Sequence, residues 1–166
     1  AQLRTKLACL ADAEAENAAL RTLTGAARPA AAQRPARVLA RLPGALVLAG
    51  HAETGCAVTD SAGRFAGRII QSSADRCVMA QAGSARCPTA GLAAGCGGLL
   101  QVQGGWRLTG LPLHCRDGAG TVAATPDGFW LGVFADAPQP EAAGLTQQVT
   151  LRDTADFWDE IYFVCA

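Results

Sequence analysis

The chain has 166 residues, half of them apolar, and its 14 basic and 14 acidic residues give a formal net charge of zero. That balance, with no basic run and no stacking platform of aromatics, argues against a nucleic-acid binder driven by phosphate contacts. No apolar run reaches the roughly 18–20 residues of a membrane span, and no basic start with an apolar core marks a signal peptide. The sequence opens at Ala1, inside a helical pattern and without Met, so it reads as part of a longer protein.

Residues Leu3 to Leu23 read as one amphipathic helix of strong helix formers without interior Gly or Pro. Leu3, Leu10 and Asn17 repeat every seven residues, with Ala13 and Leu20 at the second seam position. These five residues are the candidate self-association seam. A single Asn at a seam position is a known device for fixing register at some cost in stability. The alternative is a helix packed on its own β-region. Gly25 ends the helix and Pro29 prevents its restart, leaving residues 25–35 as a linker between a 1–24 helix and a 36–166 β-region.

From Ala36 the period becomes strand-like. Strands are expected over 37–41, 45–49, 56–59, 64–71 (with Gly67 as a bend or bulge) and 76–81. The Gly-, Ala- and Cys-rich stretch 83–98 offers one strand, around 89–92. Further strands are expected over 99–102, 106–108, 120–124, 130–135, 145–151 and 161–165, with one helical turn over 153–158. Ile161 and Phe163 should share one face of the last strand, and Tyr162 and Val164 the other. Many short strands between Gly turns, without crossover helices, indicate small barrels or a sandwich and exclude parallel α/β.

Seven cysteines (Cys9, Cys56, Cys77, Cys87, Cys96, Cys115 and Cys165) stand without a Cys-x-x-Cys pair and with only two His. Closed zinc sites need more than that. The spread spacing suits disulfides in an oxidising compartment, with Cys9 the natural leftover; buried thiols packed as small hydrophobes are the alternative. Gly95-Cys96-Gly97-Gly98 with His51 could be a nucleophile turn and base of a two-barrel cysteine hydrolase. Only 45 residues separate the two, short for a path between barrels, and a cystine in a tight turn would look the same. His114-Cys115 is a weak ligand pair, since neighbours in a strand point apart. Asp153, Asp156, Asp159 and Glu160 lack the spacing of a calcium loop and read as a solvated connection, with Phe157, Trp158 and Tyr162 beside it read as core in preference to an exposed contact patch. No phosphate loop and no Gly-x-Ser-x-Gly is present. The expectation is therefore no catalytic or metal site, no cofactor and no small-molecule substrate.

Several segments in order resemble one family. Glu16-Asn17-Ala18-Ala19-Leu20-Arg21-Thr22-Leu23 hands a helix over to a β-region. Gly63–Ile70, Ser72–Met79 and Gly128–Phe134 are similar to successive strands of the rod shape-determining protein MreC family, and Gln147–Val164 resembles its closing strand pair. Arg116–Thr125 matches the family's Gly-Asp-x-Val-x-Thr-Ser-Gly element only in part. The resemblance implies a mostly β protein: a short coiled coil followed by two small β-barrels. It also implies a non-enzymatic scaffold of the bacterial cell-wall elongation machinery, at the periplasmic face of the inner membrane and anchored by a segment before Ala1. The implied partners are further copies of itself, a class B penicillin-binding transpeptidase and other membrane proteins of the elongation complex. A disulfide-stabilised extracytoplasmic binding domain of another kind is the alternative.

Overall fold

A computed structural model describes residues 33–165, which form thirteen strands and no helix. Six strands close the first barrel: β1 (Gln33–Leu42), β2 (Ala45–Ala49), β3 (Ala57–Thr59), β4 (Phe65–Ser72), β5 (Arg76–Gln81) and the last strand of the chain, β13 (Ile161–Cys165). Seven strands make the second sheet: β6 (Ala90–Ala93), β7 (Cys96–Gln101), β8 (Arg107–Leu111), β9 (Val122–Ala124), β10 (Trp130–Phe134), β11 (Gln139–Pro140) and β12 (Gln147–Arg152). Pairing of β10 with β12 closes six of these into a second barrel and leaves β11 appended to β12. The expected helix over 1–24 falls outside the described residues.

β1 changes partner halfway along. Gln33–Arg37 pair with β13, and Val38–Leu42 pair with β2, with a bulge at Leu39 where the ladder passes from one to the other. The strand thus begins four residues before the expected start at Arg37, inside the stretch read as linker. Pro35 is tolerated inside it because β2 does not extend alongside that half, so one flank of β1 carries no ladder there. Gly67 is required by close approach: a Cβ there would run into the Ala80 carbonyl of β5. The expected irregularity at Gly67 is present: against β3 the register jumps from Gly67 to Phe65, leaving Ala66 as the extra residue, and a second jump, from Ile69 to Gln71, follows against β5.

Barrel 1 is filled by Leu46, Leu48, Val58, Ile69, Met79, Tyr162 and Val164. The alternation of β13 is the expected one, with Tyr162 and Val164 inward and Ile161 exposed. Barrel 2 is filled by Leu100, Leu108, Leu111, Leu131, Phe134 and Leu151, and Ala57, Phe65, Ala82 and Cys165 of barrel 1 join the same core. The two barrels therefore share an apolar seam, where Phe65 and Phe129 meet at 5.8 Å between ring centroids.

Polar contacts hold the margins of that seam. Arg68 of β4 pairs with Asp127 of the β9–β10 turn at 2.6 Å. Burial opposes ionisation of Asp127, but bonds from Thr125 and Arg68 outweigh it and hold its carboxyl below the usual range. The fully buried Asp60 accepts four hydrogen bonds: at Oδ1 from the amides of Ala62 and Arg64, and at Oδ2 from Arg64 Nε (2.8 Å) and the amide of Asp156 (3.0 Å). Arg64 reaches on to Asp153 at 3.2 Å, and Trp130 Nε1 donates to the Asp153 carbonyl. Asp153 begins the connection that carries the chain from barrel 2 back to barrel 1, so the Asp60 carboxylate binds that return to the β3–β4 turn.

The segment 153–158 is a succession of bends and turns, not the expected helical turn. Asp153 sits at φ 56°, Asp60 takes the amide of Asp156, and Asp156 Oδ1 takes the amide of Trp158 at 2.8 Å. Those amides are spent on carboxylates before a helical ladder could use them.

Asp60→Asn keeps the shape but places an amide N–H₂ against donors. Unfolding in urea should show a loss of about 3 kcal/mol, in the range for breaking a buried pair, whereas Asp75→Asn, at an exposed pair with Arg76, should leave the midpoint unchanged. Tyr162 tests the closing strand in another way. Its hydroxyl donates to the Asp156 carbonyl at 2.6 Å, and burial pushes its pKa up to about 12 from 10. The folded state thus holds the phenol proton more tightly than the unfolded state. The resulting stability is complete below pH 10 and is lost between pH 10 and 12. Tyr162 is the chain's one tyrosine, so phenolate absorbance should stay low through pH 11 in the native protein and rise near pH 10 in urea. A native titration near pH 10 would mean β13 does not bury this side chain.

Candidate functional site

The candidate hydrolase pair is not brought together. His51 Nδ1 lies 2.9 Å from the Ser73 carbonyl and 3.1 Å from Ser72 Oγ, on barrel 1. Cys96 opens β7 in barrel 2, where its polar neighbours are the Cys115 thiol and the Asp117 carboxylate. Burial, with Cys96 alongside, pushes the Cys115 thiol up to about 12, the reverse of nucleophile activation. His114 is exposed and Cys115 buried, but both lie in the turn after β8 and not in the strand that the expectation assumed. The six cysteines described are thiols in this structure, five of them buried and Cys56 half-buried.

Three of the carboxylates near the C-terminus are spent on structure, two on the β3–β4 turn and one on their own loop. Asp153 pairs with Arg64, Asp156 caps Trp158, and Asp159 accepts from Ser61 Oγ at 2.9 Å. Arg41 of β1 donates to the carbonyls of Phe157 and Asp159. Of the three aromatics read as core, Tyr162 is fully buried and Phe157 stacks on Trp106 at 5.6 Å. Trp158 corrects the favoured reading and takes the alternative, exposed one: it is 81% exposed. Its amide is held by the Asp156 carboxylate, and the ring faces outward with the Arg41 guanidinium 5.4 Å from its centroid.

Trp158 belongs to a larger apolar surface on the outside of barrel 1. Register places Ile161 opposite Arg37, and the amide of Val38 donates to the Glu160 carbonyl, which brings Leu39 beside the segment carrying Trp158. Leu39, Leu42, Trp158 and Ile161 are all about half exposed or more. Scattered single apolar residues are ordinary on a surface; several gathered around an exposed Trp with Arg37 and Arg41 among them have the chemistry of a protein contact. Sequence leaves both core and an exposed contact open for Trp158, because its orientation is set by the turn before β13, which the Asp60–Asp156 bond holds across 96 residues. The sequence-derived seam of Leu3, Leu10, Ala13, Asn17 and Leu20 lies outside the described residues.

Neither a protein-family model nor a curated protein sequence matches the chain. Solved structures do. An MreC structure from Listeria monocytogenes superposes with a TM-score of 0.70 at 16% identity, covering 98% of this chain and 90% of that one. The major periplasmic domain of the cell shape-determining filament MreC gives 0.63 at 14%, covering 82% and 99%. The MreC of a complex with penicillin-binding protein PBP2 from Helicobacter pylori gives 0.62 at 8%, covering 81% and 97%. Two closed six-stranded barrels sharing one apolar seam, with the last strand returned to the first barrel, give this chain the fold of MreC.

Proposed function

We propose that this protein is a non-enzymatic scaffold of the cell-wall elongation machinery. It acts outside the cytoplasmic membrane by self-assembly and by binding a class B penicillin-binding transpeptidase. The observation that carries the reading is the two-barrel fold, which matches MreC structures over nearly their full length, one of them in complex with PBP2. The surface around Trp158, with Ile161 and Leu39, is the contact proposed for the transpeptidase: a large exposed aromatic beside arginines is what interface hot spots are made of. Self-assembly is assigned to the helix, through Leu3, Leu10, Ala13, Asn17 and Leu20. The periplasmic placement rests on the fold likeness to a periplasmic domain and on a cysteine content suited to an oxidising compartment.

Calorimetric titration of the chain with the extracytoplasmic part of a class B penicillin-binding transpeptidase from the same source should give saturable binding. Trp158→Ala should weaken it at least about tenfold, the effect of losing about 1.4 kcal/mol. Absence of binding would remove the partner, and an unaffected variant would remove this surface. Leu10→Asp with Leu20→Asp should shift the chain to monomer in sedimentation while the β-signal in circular dichroism is kept. An unchanged oligomer would place assembly in the barrels.

A further inference from the structure

Cys96 and Cys115 come from the two ends of one hairpin. Cys96 is the first residue of β7, and Cys115 closes the turn after β8, where its amide donates to the Pro112 carbonyl. The register of β7 on β8 (Leu99 opposite Thr109, Gln101 opposite Arg107) runs Cys96 towards that turn. The Sγ atoms of both cysteines and a carboxylate oxygen of Asp117 all lie within 4.8 Å of one another. Both cysteines are buried, at 5% and 2% exposure. Gln147 of β12 fixes the turn by donating from Nε2 to the carbonyls of Pro112 (2.9 Å) and Cys115 (3.2 Å). The geometry points to a disulfide: we propose that Cys96 and Cys115 are the partners of a covalent staple that closes the β7–β8 end of barrel 2.

The staple forms by exchange with an external disulfide, RS–SR. One cysteine thiolate attacks it and releases the first RSH as a mixed disulfide forms. The other cysteine then attacks the protein sulfur and releases the second RSH. Two S–H bonds and one S–S bond are lost, one S–S bond and two S–H bonds are made, and the external disulfide is reduced. Joining the two sulfurs brings them from within 4.8 Å of each other to about 2.05 Å. Because both sulfurs are buried, exchange is fast only while barrel 2 is open, and the bond is set as the barrel folds. Two thiols and one half-buried carboxylate fall short of the four ligands of a closed zinc site, which is the competing use of such a cluster.

The proposal draws on the extracytoplasmic reading only for a source of oxidant, and the experiment separates the two. The full chain is refolded in a mixture of oxidised and reduced glutathione, alkylated, and digested with trypsin without reductant. Residues 87–107 and 108–116 should then appear as one linked species. Repeating the digest on Cys87→Ser removes the second cysteine of the first peptide and fixes the linkage to Cys96. Reductant should lower the melting temperature of the wild type by about 5–10 °C more than that of the Cys96→Ser, Cys115→Ser variant. Both cysteines found alkylated, or Cys96 linked to any other residue, overturns the proposal. So does a reduced protein that keeps one equivalent of zinc until a thiol reagent releases it. The linked species in refolded protein but not in protein from the cell envelope would leave the staple standing and sink the periplasmic placement.

Discussion

The buried carboxylate of Asp60 is the constraint on which the two-barrel arrangement turns. A charge taken out of water is costly unless every lone pair is met, and here four donors from three different places meet them. Two belong to its own turn, one to the Arg64 side chain and one to the backbone of the returning segment. The same bonds that satisfy the carboxylate therefore select one path for residues 153–160. With that path fixed, β13 enters between β1 and β3, Trp158 is turned outward, and Trp130 and Phe157 are seated. An apolar residue at position 60 could fill the space but could not choose between alternative routes of the backbone.

Much of the strand order was legible from local chemistry. Strands β2, β5 and β13 fall on the expected residues because each alternates β-branched or large apolar side chains between clear Gly, Pro or Asp punctuation. β7 was half missed, since Cys96-Gly97-Gly98 has no β-forming side chain to announce it. Its pairing is imposed by neighbours on both sides, and the Gly98 position lies too close to the Thr109 carbonyl for any Cβ. β11 is two residues held only to β12, below the length at which periodicity means anything. The contacts that join the barrels were illegible in principle: Arg64 to Asp153 and Arg68 to Asp127 span 89 and 59 residues, and no local pattern encodes them.

The candidate chemistry was legible mostly in what it excluded. The 45 residues between His51 and Cys96 do pass from one barrel to the other, but the weak hydrolase constellation dissolved because each side chain is engaged locally, His51 by Ser72 and Ser73 and Cys96 by Cys115 and Asp117. The acidic run near the C-terminus proved to be loop carpentry, with carboxylates satisfying amides and an Arg. What pattern reading could not supply was the outer apolar band, because exposure of Trp158 is decided by tertiary bonds, and the proximity of Cys96 to Cys115, which depends on how β8 ends. Both features lie on opposite barrels, so a surface for partners and a covalent staple can coexist without competing for the same residues.

The chain order of barrel 1 has a consequence for how the molecule is made. On a ribosome, β1 to β5 emerge first and then wait, as a five-stranded open sheet, while all seven strands of the second sheet are synthesised. During that interval the flanks of β1 and β3 that β13 will occupy are unpaired edges, open to pairing with another nascent chain. The distance in sequence from Gln33 to Cys165 makes their ladder one of the slowest contacts to find. Barrel 2, whose strands are contiguous in the chain, has no such wait. Vectorial synthesis thus divides one body into a barrel whose strands are all made in one run and a barrel that waits for its final five strand residues, and places the hazard of open strand edges on the first barrel.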